Sequence, residues 1–334
     1  GDKDITVLGL ISTTGKLTIS KPLPIVQNET NSGHGLRITH YLELDGSIDL
    51  VGESQLVQDE DCILDNDSGG YIERDQQGTA NSFNYNYWAS SVGPIAGNTA
   101  SRGTGLPSTN ANFTIGGILE DGTVSSVPAT LNFSPSYNVN DSGSTSPNKT
   151  ISTYWLYKFY GTDSDYNSWV AIDQNSSLLP GEGYTMKGTS GSVSIATQQN
   201  YVFKGKPYNG DFTLPIVSGN DRLIGNPYPS AMDADEFIKD NISTVNGGRN
   251  TSGNIFNGAL YYWDHFGEIN THILKEYVGG YATYTLMGGA KAYANDTRIN
   301  ATGGSGTKIP KRYIPVNQGD RKSTRRTPVT WPSR

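Results

Sequence analysis

Cysteine is almost missing: Cys62 is the one thiol in 334 residues. No intramolecular disulfide can form, which argues against a disulfide-stapled eukaryotic ectodomain while leaving a bacterial exterior open. A lone thiol of this kind is expected to be a small buried hydrophobe. Charge is sparse at 17% of residues, and methionine occurs three times. Long apolar runs are missing too. No stretch approaches the roughly 18 residues of a membrane helix, so no membrane span is expected. His-Glu-x-x-His, Gly-x-x-x-x-Gly-Lys-Ser/Thr, Gly-x-Gly-x-x-Gly and Gly-x-Ser-x-Gly do not occur, which removes the metalloprotease, nucleotide-binding and serine-hydrolase signatures. The four histidines (His34, His40, His265, His272) leave little material for zinc. The chain opens on Gly1-Asp2-Lys3-Asp4, as a processed N-terminus does.

Glycine (40 residues) and tyrosine (20) are abundant, alongside Thr, Ser, Asn and Val. This is the composition of pleated strands and tight turns, not of helices. Net charge is −7, unevenly spread: residues 320–334 carry +4, leaving −11 for the preceding 319. An acidic body repels phosphate backbones, so nucleic acid is not expected as a partner.

The predicted fold is all-β, in three parts. Residues 1–70 carry short strands at near-regular spacing (Ile5–Leu8, Lys16–Ile19, Leu36–Ile38, Tyr41–Leu44, Ser47–Leu50, Gln55–Val57). Alternation in Leu42-x-Leu44 and Ile48-x-Leu50 puts apolar groups on one face, and turns fall at Gly15, Gly46 and Gly52. This suits a short β-solenoid, with an antiparallel meander as the alternative. Residues 71–319 suit a jelly-roll-like β-sandwich with long loops, in which Tyr154–Tyr157, Ser168–Ile172, Tyr184–Met186, Tyr201–Phe203 and Leu260–Trp263 are strand candidates. Tyr184-x-Met186-Lys187-Gly188 and Tyr201-x-Phe203-Lys204-Gly205 repeat one pattern and suggest two strands of a hairpin. One short helix is expected near 230–240, with Ser230 as N-cap and Asp233 three residues on. Residues 320–334 form a basic, unpatterned tail of the kind a frameshift or fusion scar leaves.

Three aromatic runs offer ring faces to a sugar: Phe83–Trp88, Tyr154–Tyr160 and Tyr261–Trp263. The candidate carbohydrate-binding residues are Tyr85, Tyr87, Trp88, Tyr261, Tyr262, Trp263 and His265, although such runs equally suit a sandwich core. His265 and His272 form the one histidine pair among aromatics. Asp163, Asp165 and Asn167 place oxygens at alternate positions, as calcium loops do. Ser168 and Gln174 stand where an EF-hand needs Gly and Glu, so only a looser calcium site fits. Asp59-Glu60-Asp61 with Asp65 and Asp67 is denser but is equally explained by a solvated turn.

Several segments in order resemble the large secreted and surface proteins of Bacteroidota, the flavobacterial cargo of the type IX secretion system. The most specific is Leu223-Ile224-Gly225-Asn226-Pro227-Tyr228-Pro229-Ser230-Ala231-Met232-Asp233-Ala234-Asp235-Glu236-Phe237-Ile238. Ile72–Asp75, Asn84–Gly93, Gly181–Tyr184, Leu260–His265 and Tyr313–Gly319 follow the same family. The resemblance covers roughly residues 40–319. It implies a repeat-rich β lead into a sandwich, display outside the cell, and roles in adhesion, gliding or glycan handling. None of these segments is a catalytic signature. Gly225 and Pro227 are expected to shape a turn, and Pro229 to set Ser230 as a cap. After Gly319 the family continues in an aromatic-apolar strand that this chain lacks, and the C-terminal sorting domain is missing.

The expectation is therefore an extracellular structural or adhesive module, non-catalytic, whose partners are polysaccharide or cell-surface components. The alternative is a lyase-type polysaccharide-active enzyme or its accessory module. A lyase needs a Tyr or His base and a neutralising Arg, Lys, Asn or Gln in one groove.

Overall fold

Alternating apolar and polar side chains favour a pleated strand, and this chain forms strands almost throughout. The computed structural model describes residues 3–20, 33–60, 62–96, 110–141, 147–162, 165–294, 303–324 and 329–331. Among them the protein is all-β apart from a single helical turn, α1 (Ile115–Ile118), one eight-residue helix, α2 (Ala234–Asn241), and short 3-10 turns. No helix among the described residues is long and apolar enough to cross a membrane.

The N-terminal strands are β1 (Ile5–Ser12), β2 (Lys16–Ile19), β3 (Gly35–Leu44), β4 (Ser47–Leu50), β5 (Gln55–Gln58), β6 (Ile63–Leu64) and β7 (Tyr71–Thr79). They pair in parallel in two ladders, β1–β3–β5 with β6 also on β3, and β2–β4–β7. The register stacks like on like. Ile5, Leu36 and Leu56 form one column, Leu10, Leu42 and Leu64 a second, and Leu17, Ile48 and Ile72 a third. The second and third members of each column are fully buried, each stabilising by about 1.5–3 kcal/mol. Two columns end on polar groups instead: Val7 and Ile38 are followed by Gln58, and Ile19 and Leu50 by Arg74. Arg74 donates to the Gly52 carbonyl, and burial lowers its guanidinium to about 10. The Gln58 side-chain oxygen is buried without a hydrogen-bond partner.

The later strands that position the site are β8 (Tyr85–Trp88), β9 (Leu119–Asp121), β10 (Tyr157–Gly161), β11 (Trp169–Ala171), β12 (Tyr184–Lys187), β13 (Gln198–Pro207), β14 (Asp221–Gly225), β15 (Phe256–His265), β16 (Gly279–Thr285) and β17 (Gly319–Thr324). One sheet runs β2–β4–β7–β13–β9. Strand β7 pairs with β4 in parallel and with β13 antiparallel, so this sheet passes through residue 71 without a break. The second sheet runs β16–β15–β17–β14–β10–β12–β8, with β11 on β10. Strand β17 lies between β14 and β15, so backbone pairing continues past residue 320, where the sequence alone shows no strand pattern.

The two sheets pack face to face. Trp88 of β8 stacks on Phe203 (ring centroids 5.5 Å) and meets Tyr201 edge-on at 5.4 Å, both on β13. Gly78 makes this approach possible, because a Cβ there would sit 2.6 Å from the Trp88 ring. The expected hairpin of Tyr184–Gly188 with Tyr201–Gly205 does not form. Strand β12 pairs with β8 and β10, whereas β13 pairs with β7 and β9. The shared pattern arises because both strands turn Tyr and an apolar neighbour toward one core from opposite sheets. Tyr154–Tyr157 is not a continuous strand either: Thr153–Trp155 is a 3-10 turn and β10 starts at Tyr157.

The helix begins later than expected. Asp233, not Ser230, is the N-cap, its carboxylate accepting from the Asp235 and Glu236 amides. Residues Met232 and Asp233 are held extended by pairing with Tyr313 and Ile314, which delays helical geometry by three residues. Asn226 fixes the preceding turn. Its Oδ1 accepts from the Tyr228 amide and its Nδ2 donates to the Ser230 carbonyl. Gly225 lies in strand β14, where a Cβ would meet Ala89 Cβ at 2.4 Å; it permits close packing rather than a turn.

Candidate functional site

Register decides which aromatic side chains share a face. Strand β12 pairs Thr185 with Tyr87 and Lys187 with Tyr85, while β10 pairs Tyr157 with Thr185 and Phe159 with Trp169. These side chains lie on one face, and the alternating residues Trp88, Tyr184 and Met186 lie on the other, in the core. In β15, pairing with β16 sets Tyr261 opposite Thr283 and Trp263 opposite Tyr281. The second sheet curls so that β8, last in strand order, comes beside β17 through the Trp88–Gln318 bridge. Tyr87 consequently lies 6.3 Å from both Trp263 and Trp169, and Trp263 lies 5.1 Å from Tyr281. These rings are half-buried.

The centre of this face is an amine. Lys187, 3% exposed, donates to the Tyr277 hydroxyl at 2.5 Å and lies 2.8 Å from His272 Nδ1. Its Nζ sits 3.7 Å from the Trp155 ring centroid, 4.5 Å from Tyr85 and 5.3 Å from Tyr277. His272 Nε2 is 3.1 Å from the Asn138 side-chain oxygen. That nitrogen must carry the proton, which leaves Nδ1 as acceptor for Lys187. The Tyr277 hydroxyl in turn donates to the Phe83 carbonyl at 2.8 Å. With no carboxylate bonded to it, Lys187 is lowered by burial to about 6. Three aromatic faces act the other way, since each attracts a cation. His272 is lowered to about 4 by burial and then by Lys187, so the amine takes up its proton first on acidification.

Above the amine the rings become accessible. Trp155 stacks on His272 at 4.5 Å and its indole donates to the Tyr137 carbonyl. Tyr137 and Tyr154 flank it at 5.1 and 4.7 Å and are 45% and 49% exposed. Tyr166 is 72% exposed. Burial, then the neighbouring Tyr166 and Tyr154, raises the Tyr157 hydroxyl. The 3-10 turn at Thr153–Trp155 swings the indole over Lys187, which a continuous strand would not do.

Of the seven residues the sequence singled out, Tyr85, Tyr87, Tyr261, Trp263 and His265 share this face. Trp88 is on the opposite side, 2% exposed, and cannot offer its ring to a ligand; Tyr262 alternates with Tyr261 and packs, partly buried, against the core rather than on this face. His265 is a clip rather than a ligand contact. Its ring lies 3.1 Å from the Tyr85 backbone and accepts from the Trp263 indole, and burial lowers it to about 4. Lys187, Tyr277, Tyr137 and Tyr166 were not singled out.

For calcium, Asp163 lies outside the described residues. Asp165 uses its carboxylate to cap the turn at Tyr166–Ser168, accepting from the Asn167 amide. Among the described residues no three His, Cys, Asp or Glu side chains converge to hold a metal. Asp59 is paired with Arg37, and Asp65 accepts from Tyr41 and the Asp67 amide; Asp61 lies outside the described residues. Cys62 is fully buried, with its thiol pushed up to about 11.

In comparisons with known proteins, residues 120–320 match a family described as a domain of unknown function, DUF8693. No curated protein and no solved structure matches the chain.

Proposed function

The chain belongs to the DUF8693 family, and we propose that it is an extracellular adhesive module of a bacterial surface protein that holds polysaccharide on the tyrosine-rich surface above Lys187. The observation that carries this reading is the exposure of Tyr137, Tyr154 and Tyr166 beside a Trp155 fixed from below. Tyr and Trp give large, rigid, amphipathic contact area at low entropic cost. A sugar ring presents an apolar face to stack and hydroxyls for the tyrosine oxygens. The half-buried Tyr87, Trp169, Trp263 and Tyr281 extend the same surface along the sheet.

An external location is supported by the turn-rich, lightly charged composition and by the resemblance to type IX cargo. In this reading the parallel N-terminal strands are solenoid-like rungs and the packed sheets a jelly-roll-like sandwich that carries the surface. A lyase reading is less well supported, because Lys187, the lysine that would neutralise the substrate, and Tyr277 beside it are both enclosed.

The test is retention of the protein on neutral and acidic bacterial and algal polysaccharides immobilised in a gel. Wild-type protein is expected to be retarded on at least one polymer. The triple variant Tyr137→Ala, Tyr154→Ala, Tyr166→Ala should lose tenfold or more in affinity, about 1.4 kcal/mol, with an unchanged unfolding midpoint. Equal retention of both proteins would place binding elsewhere. Release of unsaturated sugar ends would replace adhesion with lyase activity.

A further inference from the structure

The two parallel ladders of the N-terminal strands stop at the same end. Strands β1 and β2 form the first tier, β3 and β4 the second, and β5, β6 and β7 the third. The far end is closed, because β7 continues onto β13 and the Leu56 amide donates to the Pro229 carbonyl. At the near end no strand among the described residues pairs with the outer edge of β1 or β2. The apolar columns also stop there. Ile5, Val7, Leu10 and Leu17 are half-buried, whereas their second-tier partners Leu36, Ile38, Leu42 and Ile48 are at most 2% exposed.

Strand β1 lacks most of the devices that keep an edge unpaired. Edges that stay single are usually short, charged or broken by proline. This one runs eight residues, Ile-Thr-Val-Leu-Gly-Leu-Ile-Ser, with neither a charge nor a proline, and its outward Leu8 and Ile11 are 69% and 60% exposed. The irregularity between Val7 and Gly9 leaves β1 paired with β3 on both sides of it.

Hydrogen-bond direction identifies the occupant. At each corner the later tier donates to the earlier one: Gly46 to the Ser12 carbonyl at 2.7 Å and Ser47 to Gly15 at 2.8 Å, then Gly70 to Leu44 at 2.6 Å and Tyr71 to Gly46 at 3.3 Å. Every corner therefore turns amides toward the tier before it and carbonyls toward the tier after it. The first corner, Thr13–Gly15, is exposed. Its carbonyl side, at Ser12 and Gly15, is taken by the second tier, which leaves amides for the open end. A second copy of this chain has its own acceptor end closed, so it could meet this end only head to head, with corner amides against corner amides. A tier that presents carbonyls satisfies those donors and continues both ladders in parallel.

We propose that this end docks a partner polypeptide by parallel strand addition. The partner segment has two short strands joined by a tight corner, with apolar side chains at alternate inward positions over Ile5, Val7, Leu10 and Leu17. The probe is a synthetic peptide of residues 35–50, the chain's own second tier, which carries that pattern. It is fluorescently labelled and titrated into the full chain by anisotropy, with a shuffled peptide of the same composition as control. Saturable binding of the peptide and none of the control is expected. Amide hydrogen exchange at residues 5–19 should slow about tenfold or more in the complex, with β13 unchanged. Val7→Lys should weaken binding about tenfold or more at an unchanged unfolding midpoint, because at an open end the ammonium reaches water and only an added tier must cover it. The exchange map of the wild-type protein tests the same contact without any substitution. Equal binding of the shuffled peptide, no saturable binding, protection outside residues 5–19, or self-association of the free chain that protects the same residues would overturn the proposal. None of these readouts involves the tyrosine surface, so failure here leaves polysaccharide retention untouched.

Discussion

Replacing Trp88 by alanine is expected to lower the unfolding free energy by about 3–5 kcal/mol. The indole is 2% exposed and joins the two sheets through Phe203 and Tyr201. Gly78 has no Cβ with which to fill the gap, and the Asn86 side chain beside it bonds the Thr79 amide and carbonyl, so the cavity would persist. Trp88→Phe should cost markedly less. It keeps a ring against Phe203 and removes the indole N–H, which is buried without a partner and carries a desolvation penalty of its own. Urea denaturation followed by tryptophan-independent circular dichroism measures both, with the midpoint moving at constant slope. A loss below about 1 kcal/mol for the alanine variant would mean that the sheets are held together elsewhere.

Trp88 also marks where sequence reasoning stops. The alternation in Tyr85-Asn86-Tyr87-Trp88 correctly separates two faces, and period two is a local property. Which face meets solvent is not local; it depends on Tyr201 and Phe203 more than 110 residues away. The same ambiguity divides Tyr261 and Trp263 from Tyr262. The N-terminal strands were legible because each carries its own apolar pattern, but their parallel pairing depends on register between chain segments 20–32 residues apart. Ser230 looked like the cap because it precedes a helical pattern; pairing of Met232 and Asp233 with Tyr313 and Ile314 outweighed that local preference. Lys187 was invisible for a different reason. Its partners come from two distant places, Trp155 from the turn at Thr153–Trp155 and His272 and Tyr277 from the connection between β15 and β16, and a lysine in a strand has no signature until its surroundings exclude water and carboxylates alike.

That exclusion leads to the last expectation, in which the conservative change is the harmful one. Lys187 has an ordinary value of 10.5 and is lowered by burial to about 6 in the folded protein. Between those values the unfolded chain binds a proton that the folded chain does not, so stability rises with pH across that window. Stability is fully present above about 10.5, falls as pH drops, and levels off below about 6. The limiting slope is about 1.4 kcal/mol per pH unit, reduced to the extent that Trp155, Tyr85 and Tyr277 favour the ammonium. Lys187→Met should abolish the slope, measured as urea midpoints from pH 6.5 to 9. Lys187→Arg should destabilise by about 3–5 kcal/mol, because a guanidinium cannot shed its proton and enters the cage as an uncompensated charge. The aromatic faces provide the contrary outcome. If the wild-type slope is flat and arginine is tolerated, the cage holds a cation, and the rings above it rest on a charged post rather than on a neutral amine.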